Sequence, residues 1–247
     1  DLKTGARFTT GHPLHPYPAG IFVSGDAVNL LREADVILSL DWVDLAGALK
    51  VSCGGEWPDA TIIQCSLDQY VHNGWSMDYQ ALPPADITML ADPDVLVERL
   101  LAAIPERRAT ARPATRAPRA AAAAQPASAA AAPSSGAQPR GVSIEAMARV
   151  TVDTLAAHRP SYIRLPIGWP GQFCRFDDPL DYIGFDGGGG IGSGPGMAVG
   201  AALALQRSGC LPVAVLGDGD YLMGVTALWT AVHYGIPLLA IVANNHS

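Results

Sequence analysis

Two short motifs in the C-terminal part of the sequence contain residue types that can hold a metal ion and a phosphate group. The first is Gly-Asp-Gly at positions 217–219, and 24 residues separate it from the pair Asn244 and Asn245. Carboxylate and amide oxygens suit Mg²⁺, which prefers octahedral oxygen ligands and often shares its shell with ligand phosphates. Glycines on both sides of Asp218 let backbone N–H groups approach a diphosphate closely. The chemistry indicated is magnesium-assisted binding of a diphosphate.

The elements around these motifs are expected to place them at one edge of a sheet. Apolar runs at 211–216 and 238–243 predict two buried strands, and the spacing over 225–234 predicts a helix between them. A right-handed crossover makes such strands parallel, so their carboxyl ends lie at the same edge. We therefore expect Asp218 and Asn245 to face one crevice, in the position where open α/β sheets bind ligands.

A glycine-rich segment at 185–200 (FDGGGGIGSGPGMAVG) is the third candidate feature. Gly187, Gly189 and Gly192 formally match the GxGxxG fingerprint of a dinucleotide site. That site needs a preceding strand and an acidic residue about 20 positions further on. The segment before the motif is short, and no Asp or Glu occurs between it and the Gly-Asp-Gly motif. A nucleotide site and a turn that only allows close backbone packing both remain open.

Composition divides the chain into three parts. Residues 1–104 and 141–247 each alternate apolar runs with helical patterns, which predicts an α/β fold with two Rossmann-like parallel-sheet domains. Residues 105–140 are rich in Ala, Pro, Arg and Ser, with six Arg against one Glu and no apolar period. This composition predicts a flexible, partly extended linker. The second domain is expected to be incomplete at residue 247.

Hydrophobic spacing predicts further elements in both domains. The predicted strands are 35–40, 61–65 and 87–90, and the predicted helices are 26–34, 93–104, 143–157 and 197–207. Asp92 directly precedes Pro93 and is a suitable helix N-cap. Arg164 is expected in a loop after the helix at 143–157.

Charge and cysteine content limit the classes of partner. The net charge is −7, and because the linker is basic both predicted domains are acidic, which argues against nucleic acid and anionic membrane as partners. Every apolar run is shorter than the ~18 residues of a membrane span. The cysteines are widely spaced and form no CxxC pair; they are Cys53, Cys65, Cys174 and Cys210. A reduced, cytoplasmic compartment fits this pattern better than a zinc site or a disulfide scaffold.

The Gly-Asp-Gly motif and the Asn-Asn pair, with 24 residues between them, resemble the signature of thiamine diphosphate (ThDP) enzymes. The group concerned contains acetohydroxyacid synthase, benzoylformate decarboxylase and pyruvate decarboxylase. Supporting stretches lie at 8–13 (FTTGHP), 63–68 (IQCSLD) and 189–200. By this resemblance residues 1–104 are the central domain and residues 141–247 begin the diphosphate-binding domain.

The resemblance also implies a role for individual residues. Mg²⁺ would be bound by side-chain oxygens of Asp218 and Asn245 and by the backbone carbonyl of Ser247. Ile191 matches the large apolar residue that holds the cofactor in its bent shape. The remaining implied cofactor contacts are the backbone oxygen of Gly189, which would accept a hydrogen bond from the 4′-amino group, and Gly217, Gly219 and Asp220 along the diphosphate.

Two positions depart from the family pattern. Asp220 stands where many members have Ser or Gly, and a carboxylate beside a diphosphate is repulsive unless it turns away or is screened by a cation. Pro-Gly at 195–196 replaces the usual Leu-Pro, which is expected to reshape the loop behind Ile191.

The function implied is that of a ThDP- and Mg²⁺-dependent enzyme acting on 2-keto acids by decarboxylation, carboligation or both. The family's activating glutamate lies in a pyrimidine-binding domain that is expected outside this chain, so the isolated chain should be inactive. A homodimer or homotetramer with the cofactor at the interface is expected. A non-catalytic scaffold subunit and a nicotinamide-nucleotide-binding protein remain open as alternatives, and no sequence feature identifies the substrate or demands FAD.

Overall fold

The computed structural model describes residues 5, 8–15, 18–68, 81–104, 141–184 and 190–245. These residues form two three-stranded parallel sheets with helices packed against them, so the predicted α/β class is confirmed. We call the sheet within residues 36–89 sheet A and the sheet within residues 160–243 sheet B. In the part of the chain that is described, no helix is long and apolar enough to cross a membrane.

Sheet A has the strand order β1-β2-β3. Its elements in chain order are α1 (Gly25–Arg32), β1 (Val36–Leu40), α2 (Leu45–Ser52), β2 (Thr61–Cys65), β3 (Ile87–Met89) and α3 (Pro93–Ala103). Ile37 and Ile62 pack against Leu45 and Leu49 of α2 and form the core on one face. The alternating side chains of β1, such as Leu38, are exposed on the other face of the described sheet.

Sheet B has the strand order β4-β5-β6. Its elements in chain order are α4 (Ile144–Leu155), β4 (Pro160–Arg164), a 3₁₀ turn (Gly171–Phe173), α5 (Gly194–Leu205), β5 (Leu211–Gly217), α6 (Asp218–Gly224), α7 (Ala227–His233) and β6 (Leu239–Ala243). Strand β5 is central and buried on both faces: Val213 and Val215 join the core beside α4, and Ala214 and Leu216 join the core beside α5. A continuous apolar run is typical of such a doubly covered parallel strand.

Most predicted strands and helices are found within a few residues of their expected bounds. The prediction that Arg164 lies in a loop is wrong, because this residue ends β4. The short helices α2 and α6 were not predicted. Helix α5 begins at Gly194, three positions before the expected start, because Pro195 occupies its first turn, where proline needs no N–H partner.

Part of the N-terminal segment packs against sheet B. The N–H of Thr10 donates to the carbonyl of Phe176 at 2.9 Å, and the N–H of Phe176 donates to the Thr10 hydroxyl at 2.8 Å. Ala19 and Ile21 pack against the hydrophobic core of sheet B, which also contains Trp169. Thr10, Ala19 and Ile21 are therefore in contact with the part of the chain that forms sheet B. The three-part division of the chain stays a prediction, and the linker at 105–140 lies outside the described residues.

Candidate functional site

The two polar motifs lie at the same edge of sheet B. Strands β5 and β6 are parallel and Gly217 pairs with Ala243, so Asp218 and Asn244 each follow the last paired residue of adjacent strands. Asp218 is partly buried, whereas Asn244 and Asn245 are exposed. The structure thus brings Asp218 and Asn245 to one edge, as the sequence spacing predicts, and their action as metal ligands stays a prediction.

The Gly-Asp-Gly motif forms the junction between β5 and α6. Gly217 is the N-cap of α6 in an extended conformation (φ −69°, ψ 154°) and has no side chain with which to cap the helix. The first N–H groups of α6 therefore point toward the sheet edge at the positive end of the helix dipole. A Cβ atom added at Gly217 or Gly219 would meet no atom within 4 Å. Among the described residues, packing does not require glycine at either position and leaves space there for a ligand.

The described end of the glycine-rich segment, residues 190–194, lies beside α6. Gly192 adopts φ +101°, a conformation that favours glycine, and a Cβ there would approach the Cβ of Met223 at 3.2 Å. The side chain of Ile191 is 63% exposed. Gly189 and Ser247, two further predicted site residues, lie outside the described residues. Ile191, the predicted apolar contact to a cofactor, therefore lies exposed on a loop that packs closely against α6.

Asp220 turns its carboxylate into the protein, away from the space above the sheet edge. It is 4% exposed, and its Oδ1 accepts hydrogen bonds from the N–H of Gly192 at 2.6 Å and from the N–H of Gly194 at 3.2 Å. Its Oδ2 lies 3.2 Å from the Nε of Arg164. The carboxylate thus turns away from the sheet edge and is screened by the guanidinium, the two conditions under which Asp220 is not expected to repel a diphosphate. Only the backbone of Asp220 remains a candidate contact along the diphosphate.

Arg164 is the residue of this site that sequence analysis missed. It lies at the end of β4, where the register with β5 shifts between Tyr162 and Arg164, and it is 7% exposed. Its Nη1 donates to the Ser193 hydroxyl at 3.1 Å, and its Nη2 donates to the carbonyl of Gly190 at 3.5 Å. The sequence signal that could have pointed to Arg164 is Asp220, which departs from the family pattern. A carboxylate that turns from a diphosphate into the protein needs a cationic partner there.

The oxygen atoms available at the sheet edge fit a hard divalent cation. Asp218 supplies one carboxylate and Asn245 one amide oxygen, a set suited to Mg²⁺ when phosphate oxygens complete the shell. Within the described ranges no group of three or more His, Cys, Asp or Glu side chains could hold a metal ion. Of the predicted metal-binding residues, only Asp218 is one of those types. The metal site therefore depends on a bound phosphate compound to supply further oxygen atoms.

A separate cavity of about 380 Å³ lies beside sheet A. It is lined mainly by apolar side chains of residues 18–24 and of helices α1 and α2, including Phe22, Leu30 and Val51, and by Trp42 between β1 and α2. None of the predicted site residues lines it. The cavity and the edge of sheet B are therefore distinct features of the described structure.

Comparison with known proteins finds a family match in the C-terminal third of the chain. Residues 167–247 match the model of the thiamine pyrophosphate enzyme, C-terminal TPP binding domain. The chain is 35% identical over 107 residues to the acetolactate synthase large subunit of Haemophilus influenzae, and 38% identical over 74 residues to the benzoylformate decarboxylase of Pseudomonas aeruginosa. These matches cover 42% and 30% of this chain. They span only 17% and 13% of the two relatives.

Solved structures show the same fold. A thiamine diphosphate-dependent 4-hydroxybenzoylformate decarboxylase from Rhodococcus jostii RHA1 matches with a TM-score of 0.59 and 22% identity, over 98% of this chain and 41% of that one. Benzoylformate decarboxylase from Polynucleobacter necessarius matches with a TM-score of 0.62 and 18% identity, over 99% and 42%. The expected resemblance to thiamine diphosphate enzymes is thus confirmed: residues 167–247 match the TPP binding domain, and the chain is similar to acetolactate synthase and benzoylformate decarboxylase.

Proposed function

We propose that this chain is the part of a ThDP- and Mg²⁺-dependent enzyme that binds the cofactor's diphosphate, and that the enzyme acts on 2-keto acids by decarboxylation, carboligation or both. The observation that carries the proposal is the position of Asp218 and Asn245 at one edge of sheet B, next to the open start of α6. The family match supports the choice of cofactor. The names of the sequence relatives support the substrate class.

Each residue at the edge has a distinct task in this proposal. Asp218 and Asn245 offer side-chain oxygens to Mg²⁺, with the Ser247 carbonyl as the third protein ligand. The N–H groups of Gly219 and Asp220 donate hydrogen bonds to phosphate oxygens, a task suited to the start of a helix. The bound cofactor supplies a nucleophilic carbon and an electron sink for cleavage of the bond beside the substrate carbonyl.

The apolar side of the cofactor contact falls to the glycine loop. Ile191 presents an exposed side chain that can pack against the body of the cofactor, and the Gly189 carbonyl accepts a hydrogen bond from its amino group. The carboxylate that activates the cofactor comes from a domain outside these 247 residues. We expect the complete enzyme to be a homodimer or homotetramer with the cofactor at the subunit interface.

Calorimetric titration of ThDP into the complete, cofactor-stripped enzyme tests this proposal. Wild type should bind with Mg²⁺ present and lose binding in EDTA. Asp218→Ala should weaken binding about 100-fold or more, because even the loss of an outer-shell group at a metal site costs 10–100-fold. Asp153→Ala, which removes an exposed aspartate of α4, is the matched control and should bind like wild type.

Three outcomes would contradict the proposal in different ways. Unchanged ThDP affinity in Asp218→Ala would show that this carboxylate does not hold the metal. Failure of the wild-type enzyme to bind ThDP in either buffer would favour a non-catalytic scaffold. Binding of NAD(H) that is insensitive to the loss of Asp218 would favour a nucleotide site in the glycine-rich segment.

A further inference from the structure

We propose that Arg164 and Asp220 form a positioning pair that holds the backbone on both sides of Ile191 and so fixes this side chain relative to Asp218. The inference rests on the proposed function, because the relative position of Ile191 and Asp218 matters only if both contact one cofactor. In this proposal neither Arg164 nor the Asp220 carboxylate contacts the cofactor.

The pair joins elements that are far apart in the chain. Arg164 ends β4, Asp220 lies in the first turn of α6, and the two side chains meet with the Nε of Arg164 3.2 Å from the Oδ2 of Asp220. The glycine loop at 190–194 lies across this contact. Asp220 is two positions after Asp218 in the same helical turn. A loop that is bound by Asp220 is therefore also fixed in position relative to Asp218.

Both backbone neighbours of Ile191 are bound by this pair. On one side, the carbonyl of Gly190 accepts a hydrogen bond from Nη2 of Arg164, and the Ser193 hydroxyl, which donates to the same carbonyl at 3.2 Å, accepts one from Nη1. On the other side, the N–H of Gly192 donates to Asp220 at 2.6 Å. Ile191 itself stays exposed between two fixed peptide groups, which is the arrangement of a preorganised contact.

The glycines around the pair fit the same interpretation. A Cβ at Gly194 would fall on the Asp220 carboxylate and would lie 2.8 Å from the Leu216 side chain. A Cβ at Gly224 would fall on the carbonyl of Gly192 and would lie 2.9 Å from the Pro195 ring. The loop and α6 therefore approach each other too closely at these two glycines for a side chain to fit between them, which ties the position of the loop to that of Asp220.

The burial of the pair indicates that it contributes more to the position of the glycine loop than to the free energy of unfolding. The side chains of Arg164 and Asp220 are 9% and 5% exposed, and desolvation of two charges offsets much of the attraction between them. What the pair adds is direction, because the planar guanidinium donates to fixed partners in a rigid fork. A lysine keeps the charge but cannot reproduce that fork.

The test is a double-mutant cycle between Arg164 and Ile191 in the complete enzyme, read out as ThDP affinity at saturating Mg²⁺. Arg164→Lys should weaken ThDP binding about tenfold, within the range for groups that orient a ligand through another residue. Ile191→Ala should weaken binding in the wild-type background and add little in Arg164→Lys, because the displaced Ile191 has already lost its contact. Such non-additivity is the signature of two residues acting through one interaction.

The controls separate positioning from general stability. Arg159→Lys alters an exposed pair with Asp178 (3.9 Å, 55% and 50% exposed) just before the same strand, and it should leave affinity unchanged. Asp220→Asn removes the negative charge opposite the Arg164 guanidinium, so it provides a second variant that breaks the pair and should show the same coupling to Ile191. All affinities are measured below the melting temperature of each variant, which is determined by circular dichroism.

The outcomes distinguish this inference from the proposed function. If wild type binds ThDP but Arg164→Lys and Asp220→Asn lower only the melting temperature, the pair merely supports the fold and the inference is overturned. Effects of Arg164→Lys and Ile191→Ala that simply multiply would also overturn it. If wild type does not bind ThDP at all, the proposed function fails first, and the inference falls with it.

Discussion

Asp218 and Asp220 stand two positions apart in the first turn of α6, and the same carboxylate group meets different surroundings at each. Asp218 is partly exposed at the edge of sheet B, whereas Asp220 is enclosed by N–H donors and the Arg164 guanidinium. The sequence predicted that both lie near a diphosphate. It could not show which way Asp220 points, because that depends on an arginine in a distant strand whose own position was predicted wrongly.

At the residue scale, replacing each of two glycines of α5 by alanine should have opposite effects on the free energy of unfolding. Gly194→Ala places a Cβ on the Asp220 carboxylate and should lower the free energy of unfolding by about 1–3 kcal/mol, as overpacking usually does. Gly196→Ala meets no atom within 4 Å and should be neutral or raise it by up to about 1 kcal/mol, because alanine favours helix. Urea denaturation of both variants measures the difference, and equal effects would contradict the close contact.

The elements of the fold were predictable where their pattern was regular. Strands β2 and β5 are apolar runs with sharp ends and were found close to their expected bounds. Helix α2 was missed because six of its eight residues are buried, so its sequence shows no polar face. Strand β4 (PSYIR) was missed because it carries polar residues that are buried by tertiary contacts. In both cases packing decides the structure and local pattern does not.

At the level of elements, two aspartate N-caps should differ in strength. Asp44 caps α2 by accepting the N–H of Gly47 at 2.9 Å and is 4% exposed, while Asp92 caps α3 by accepting the N–H of Asp94 at 2.8 Å in an exposed position. Asp44→Ala leaves a buried donor without its partner and should cost about 2–3 kcal/mol of unfolding free energy. Asp92→Ala should cost about 0.5–1 kcal/mol, because water replaces the cap.

Denaturant unfolding of these variants provides the measurement. Asp44→Asn is the matched control, since asparagine caps a helix about as well as aspartate and should cost less than about 1 kcal/mol. A larger loss for Asp92→Ala than for Asp44→Ala would contradict the role of burial.

For the molecule as a whole, the core of sheet B contains a cysteine thiol and two tyrosine hydroxyls that must stay protonated in the folded state. Burial raises the pKa of the Cys174 thiol and of the Tyr162 hydroxyl to about 12 each, and it also raises the pKa of Tyr182. Tyr182 and Phe176 stack at 5.1 Å in the same core, against which residues of the N-terminal segment pack. Ionisation of this core is therefore coupled to the packing of distant parts of the chain.

The sign of the resulting pH dependence follows from the raised pKa values. Both groups are neutral in the folded state up to about pH 12, whereas they ionise near pH 9 and 10 when unfolded. Below about pH 9 these two groups should therefore not change the free energy of unfolding. Stability should fall by about 1.4 kcal/mol per pH unit for each group, above about pH 9 for Cys174 and above about pH 10 for Tyr162, until about pH 12.

Urea denaturation between pH 8 and 11 checks this, with Cys174→Ala as the test variant. This variant should lose the first part of the decline, between about pH 9 and 10, where the thiol ionises in the unfolded chain and the two tyrosines do not yet contribute, whatever its stability at neutral pH. Cys210→Ala, which removes a partly exposed thiol, is the control. Identical slopes in wild type and Cys174→Ala would show that the thiol is not protected by burial.

Strand pairing in sheet B has a consequence for the order in which the chain folds. Tyr162 of β4 pairs with Val213, about 50 residues away, whereas Val213 pairs with Leu239 of β6 across about half that separation, and the entropic cost of closing a loop grows with its length. We therefore expect β5, α6, α7 and β6 to associate early and β4 to join them later. A folding chain would then bring the two polar motifs together before the arrival of β4 locks the loop that carries Ile191.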